Sequence, residues 1–196
     1  MNGKADETLP RSHRRQAWRE VARRVGGRFE EGERDGQDRV SLEHGPWTVT
    51  LDTYTVHTGQ VSVTYTRVRA FFIGRGDFKL VVRKRRVFDR LLEALGFGGV
   101  PPGDREITRR WVIKGKPASR LRSLLTQELI ATLLVQPALR LDVKRAPRKQ
   151  RKTMGAEARV ATAQTTGVIV DPERLAGLFA VVTQTLDSLR RIGMAT

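Results

Sequence analysis

Between residues 28 and 85 the hydrophobic pattern runs at a period near two, and no other feature constrains the fold as much. Apolar and polar side chains alternate through 40–43, 47–56, 61–73 and 78–83. At that spacing every second residue faces the same side of a sheet. Thr, Val and Tyr dominate these runs, as extended backbone favours. A short strand at 28–31 precedes them, followed by an acidic, glycine-containing turn at 33–38. The connections His44-Gly45-Pro46, Thr58-Gly59-Gln60 and Gly74-Arg75-Gly76-Asp77 suit antiparallel neighbours and are too short for parallel crossovers. One face of each run is Val, Leu and Tyr, and the other is Thr and charge. The pattern predicts an antiparallel meander covered on one side only.

Helical spacing brackets this region. Ser12 is placed to cap a helix reaching Val25, with Trp18, Val21, Ala22 and Val25 as its buried stripe and Gly26-Gly27 as its stop. Its other faces carry Arg14, Arg15, Arg19, Arg23 and Arg24. After the meander come a short helix at 87–95, a loop at 96–103 containing Pro101-Pro102, and a strand at 111–114. A long, bent helical stretch follows Pro117, marked by Leu121, Leu124, Leu125, Leu129 and Leu133. Leu139, Leu141 and Val143 alternate with charge as a half-buried strand, and 158–163 with 168–170 read as a hairpin. Asp171-Pro172 then opens the most regular helix in the chain, because Asp caps well and Pro fits the first turn. Leu175, Leu178, Phe179, Val182, Leu186 and Leu189 form its stripe, and Gly193 ends it.

The expected fold class is therefore α+β: a mainly antiparallel sheet covered on one face by helices, with the long amphipathic C-terminal helix in the core. Residues 1–10 read as a flexible N-terminus and 11–196 as a single domain with a candidate internal boundary near 96–103. The spacing of Phe78, Leu80 and Leu91-Leu92 is repeated by Trp111, Ile113 and Leu124-Leu125, as a strand–helix unit used twice would give.

Familiar reaction chemistry has no foothold in the sequence. The chain has no cysteine, which excludes disulfides, thiolate nucleophiles and zinc–thiolate sites. His13, His44 and His57 fall in different elements. No G-x-S-x-G elbow or phosphate-cradling G-x-x-x-x-G-K-[ST] loop occurs. Glu30, Glu31, Glu33, Asp35 and Asp38 read as a solvated turn, and Arg75-Gly76-Asp77 as a glycine turn. No catalytic residue, cofactor or metal ligand is assigned. The first residues lack a signal-peptide core. The apolar stretch at 129–139 is broken by Gln136 and Pro137 and is too short to span a bilayer. The expectation is a cytoplasmic protein.

What stands out is charge: 37 basic against 21 acidic residues, a net +16. Such an excess attracts polyanions, or serves solubility alone. Lys144, Arg145, Arg148, Lys149, Arg151 and Lys152 are the candidate polyanion-binding residues. They read as a poorly ordered loop between two strands, since their like charges repel and little apolar surface offsets ordering. Arg83, Lys84, Arg85 and Arg86 form a second basic group, while Trp47, Tyr54 and Tyr65 read as sheet-face packing.

Gly103-Asp104, Ile107, Trp111-Val112-Ile113-Lys114-Gly115, Gly167-Val168-Ile169-Val170-Asp171 and Leu189-Arg190-Arg191-Ile192-Gly193 carry a resemblance. From about Phe78 to the C-terminus the order of elements resembles a bacterial family of uncharacterised proteins with no agreed activity. The resemblance implies a folded bacterial domain and adds no catalytic residue; the basic tract at 144–152 lies outside its pattern. Three readings of function follow: a non-enzymatic binding or scaffold module for an unknown protein or ligand, sequence-independent binding of nucleic acid or another polyanion, and an enzyme of unfamiliar type.

Overall fold

A single antiparallel sheet organises the computed structural model, which describes residues 10–34, 37–85 and 105–196. Its strands are β1 (Arg28–Glu30), β2 (Arg39–His44), β3 (Trp47–Thr58), β4 (Val61–Ile73), β5 (Lys79–Lys84), β6 (Trp111–Lys116), β7 (Arg140–Arg145) and β8 (Ala158–Thr166). Their spatial order is β1-β2-β3-β4-β8-β7-β5-β6. The helices are α1 (Arg11–Val25), α2 (Arg105–Arg110), α3 (Ala118–Leu124), α4 (Gln127–Val135), α5 (Arg148–Met154) and α6 (Pro172–Arg191). The expected α+β class is what the chain adopts. The helix expected at 87–95, the loop at 96–103 and the Leu91-Leu92 half of the internal echo lie outside the described residues.

The meander holds from β1 to β4 and then breaks. β5 does not pair with β4; the β7–β8 hairpin lies between them. Crossing three strand spacings requires about 14 Å, within reach of the five-residue link 74–78. The link is anchored as it crosses. The Gly74 amide donates to Glu157 O at 3.0 Å, and the buried Arg159 guanidinium donates to Phe78 O at 3.3 Å and to Gly76 O. Gly74 must be glycine, because a Cβ there would collide with the Arg159 side chain. The Arg75-Gly76-Asp77 turn is thus the clasp of this crossing, held by a side chain more than 80 positions further along the chain.

The helix-covered face is the core. Cross-strand rows such as Val40–Leu51–Val68–Ala163–Leu141–Val82–Ile113 run through seven strands, and every residue of that row is buried. Ala70, Ala161 and Ala163 are small, so α6 can lie close against the middle of the sheet. As expected, α6 is a core element: Asp171 accepts from the amides of Glu173 and Arg174, and Phe179 and Leu186 are 1% and 0% exposed.

Several local expectations are corrected. α1 is preceded by Pro10 rather than capped by Ser12. The stretch after Pro117 is two helices, separated where Thr126 Oγ1 accepts the Leu129 amide at 3.1 Å and starts α4 afresh. Residues 168–170 are not a strand. Their backbone is held by side chains instead: Trp18 Nε1 donates to Ile169 O (3.1 Å) and the Ile169 amide donates to Thr66 Oγ1 (3.0 Å). The tract at 144–152 is not a loop. Lys144 and Arg145 end β7, and Arg148 begins α5. Pro147 stands just before α5 with φ −53° and ψ 154°, where its missing amide hydrogen costs no helical bond, and Arg151 Nε donates back to Ala146 O at 3.1 Å.

The acidic turn is not uniformly solvated either. Asp38 is 1% exposed. It accepts from Arg14 at 2.9 Å, from Arg15 at 3.2 Å and from the Gly32 amide at 3.0 Å. Burial alone would raise its pKa, but these hydrogen bonds hold the carboxyl below the usual carboxylate range. Glu31 receives Arg15 and Arg19, and Glu20 receives Arg23 and Arg24. Arg14, Arg15, Arg19, Arg23 and Arg24 of α1 are therefore each paired with a carboxylate.

Candidate functional site

Alternation places one set of polar residues from β3, β4, β8, β7, β5 and β6 on the sheet face opposite the core. Opposed residues share a face in an antiparallel sheet, so the pairings define its rows. One row is Asp52–Arg67–Gln164–Arg140–Arg83; the next is Arg69–Thr162–Asp142–Val81–Lys114. Tyr54 and Tyr65 oppose each other beyond the first row.

These rows enclose a groove of about 680 Å³. Tyr54, Tyr65, Thr166 and Gln164 line it, with Ala138 and Leu139 from the segment after α4. Five basic residues line it, Arg83, Lys84, Arg85, Arg140 and Lys144, with one carboxylate, Asp142, among its described lining residues. The sheet thus gathers residues as distant in the chain as Tyr54 and Gln164, 110 positions apart, which is why no run of sequence announces the groove.

Internal ion pairs fix part of this face. Asp52 takes both Nε of Arg67 (2.5 Å) and NH2 of Arg69 (2.7 Å), so two guanidiniums share one carboxylate. Burial lowers the Arg69 pKa, opposed by Asp52. Arg140 grips Asp142 with two bonds, 2.7 and 2.9 Å, and that hydrogen bonding raises the Arg140 pKa. Bidentate pairs of this kind hold a guanidinium in a set orientation. Lys84 Nζ donates to Pro137 O at 3.0 Å, and Arg85 donates to Thr108 O. Lys144 is exposed and makes no hydrogen bond or ion pair among the described residues.

At the other end, the Tyr54 and Tyr65 rings stack with centroids 5.2 Å apart, and the Arg67 guanidinium lies 4.4 Å from the Tyr54 centroid. Tyr54 OH donates to Gln164 Oε1 at 2.9 Å. Burial pushes the Tyr54 phenol up. The two rings are engaged with each other and with Arg67.

The expected polyanion-binding residues are divided by the fold. Lys144 faces the groove. Arg145, one residue on, points to the opposite side of the sheet, near Asp77. Arg148, Lys149 and Lys152 are exposed on α5, and Arg151 is partly engaged with the chain. The second basic group fares better, because Arg83, Lys84 and Arg85 all line the groove. In the sequence Arg140 reads as an alternating strand residue and Tyr54 and Tyr65 as sheet-face packing. Their signal was the alternation itself, which required the pairing of β7 with both β5 and β8 to become a site.

Other chemistry is thin. His44 Nε2 lies 2.9 Å from Asp187 and its ring stacks on Trp47. Among the described residues no cluster of three His, Cys, Asp or Glu could hold a metal ion. No helix among them is long and apolar enough to cross a membrane.

No protein-family model and no curated protein matches the chain. A solved structure similar to it is the mycobacterial trehalose monomycolate transport factor A, TtfA, at 11% identity, covering 92% of this chain and 96% of that one, with a TM-score of 0.49.

Proposed function

We propose that this protein is a non-enzymatic binding module whose uncovered sheet face holds an anionic ligand. The observation that carries this reading is that Arg83, Lys84, Arg85, Arg140 and Lys144, brought from three separate stretches of the chain, line a single concavity, with Asp142 as the one carboxylate among its described lining residues. Concave surfaces lined by one sign of charge focus the field and concentrate counter-ions. Guanidinium and ammonium donors match phosphate, sulfate or carboxylate oxygens.

Nucleic acid held through its phosphates is the second reading. The tyrosine pair is already stacked on itself and on Arg67, so it offers little open ring surface to bases. Any such binding would then be indifferent to sequence, since phosphate contacts carry no base information.

Heparin retention tests the site with a control matched in charge. The groove variant carries Arg83→Gln, Lys84→Gln and Lys144→Gln; the helix variant carries Arg148→Gln, Lys149→Gln and Lys152→Gln. Each loses three positive charges. The proposal expects the groove variant to elute at clearly lower salt than the helix variant. Equal elution would show that net charge alone acts, and a larger loss in the helix variant would move the site to α5.

A further inference from the structure

The β3–β4 hairpin runs beyond its neighbours. The pairing of β2 with β3 ends at Val40 and Leu51, and that of β8 with β4 ends at Thr66 and Thr165. One backbone bridge, Tyr65 with Gly167, continues past that edge. The remaining pairs, down to Thr58 and Val61, stand out as a two-stranded arm. Four residues of extended chain on each strand make it about 14 Å long. Gly59, with φ +59°, closes the tip in a two-residue turn.

The arm is two-faced. On one side Thr55 and Thr64 hydroxyls bond at 3.0 Å and His57 Nδ1 meets Ser62 Oγ at 2.7 Å. On the other side the pair Val56–Val63 and then Val61 continue directly from Tyr54–Tyr65. That second side is the side of the groove. Val56 is 42% and Val61 61% exposed, two of the four large apolar side chains so exposed among the described residues. An apolar strip leading away from a basic floor, both on one face, complements a surface with anionic heads over an apolar interior.

We infer that this face docks on an anionic lipid bilayer: the groove cations meet the headgroups while Val56 and Val61 enter the interface beside the tyrosine pair. The charge of the groove selects the surface and the arm adds apolar burial. Tyrosine suits such a boundary, with an apolar ring and a polar tip. Basic residues near an anionic surface each add about fivefold to partitioning. This inference rests on the anion-binding reading of the groove.

Co-sedimentation with vesicles of phosphatidylglycerol and phosphatidylcholine, beside pure phosphatidylcholine and immobilised heparin, tests both. The inference expects binding to the anionic vesicles alone. Val56→Ser with Val61→Ser leaves charge unchanged, and should weaken vesicle binding at least about tenfold while heparin elution stays the same. The triple groove variant should lose on the order of 100-fold on vesicles and elute early from heparin. Thermal melting of each variant shows that the fold persists. Heparin binding without vesicle binding, or vesicle binding indifferent to the valine changes, would overturn the inference and leave the anion site standing. So would tight binding of duplex DNA by a protein that ignores vesicles. Loss of both heparin and vesicle binding in the wild type would remove the site as well.

Discussion

Removing the carboxylate of Asp38 should damage this fold more than its place in an acidic turn suggests. The side chain is 1% exposed, and Arg14 beside it only 10%. Asp38→Ala deletes the acceptor of Arg14, Arg15 and the Gly32 amide in one step. Breaking a buried pair from one side costs about 3–5 kcal/mol, a large share of the 5–15 kcal/mol by which domains are stable, roughly. With a urea dependence of about 2 kcal/mol per molar, the midpoint should fall by roughly 1.5–2.5 M. Tryptophan fluorescence reads this directly, since Trp18 sits in the same helix as Arg14. The pH dependence follows from the depressed folded-state pKa. The stabilisation is fully present above the unfolded value of about 3.9 and is lost as pH falls through the lower folded value. Wild type and variant should therefore differ by a constant amount from pH 5 to 8 and converge in acid. A loss under about 1 kcal/mol at pH 7, or a difference that persists unchanged at pH 2, would refute the reasoning.

Phe179→Ala should cost about 3–5 kcal/mol in urea unfolding, because α6 packs that ring fully into the core. Gly115→Ala in β6 should destabilise by about 1–3 kcal/mol, since a Cβ there meets the Lys79 carbonyl and Leu121; a neutral result would mean that the β5–β6 edge relaxes freely. Tyr54→Phe removes the bond to Gln164 Oε1 and should cost about 1 kcal/mol in urea unfolding. If duplex DNA binds, each phosphate neutralised should add about 0.9 to the log–log salt slope, and two unrelated duplexes should titrate alike in fluorescence anisotropy.

Periodicity carried far in this chain where contacts are local. The strands β2, β3 and β4 and the helix α6 are recognisable because alternation and the Asp171-Pro172 start are written in adjacent residues. Strand order was not legible in the same way. Nothing beside Phe78 says that Arg159, 81 residues later, will clamp the link and carry β5 past β8. Asp38 looked solvated because its arginine partners lie more than 20 positions earlier. In the tract at 144–152 the density of charge masks Pro147 as a helix start, and Arg151 closes that turn on Ala146. Of the site, Lys144 was singled out in sequence and Arg83 to Arg85 were noted. Arg140, Gln164 and the tyrosine pair join them only through cross-strand register.

The central claim is that one face of the sheet, and not diffuse charge, receives the anion. Backbone amide shifts of the isotopically labelled protein, titrated with a heparin-derived hexasaccharide, test it most directly. The largest changes should fall on Tyr54, Tyr65, Arg83, Lys84, Arg140, Lys144 and Gln164, which the sheet brings to one groove. Changes confined to Arg148, Lys149 and Lys152, or spread evenly over α1 and α5, would contradict it.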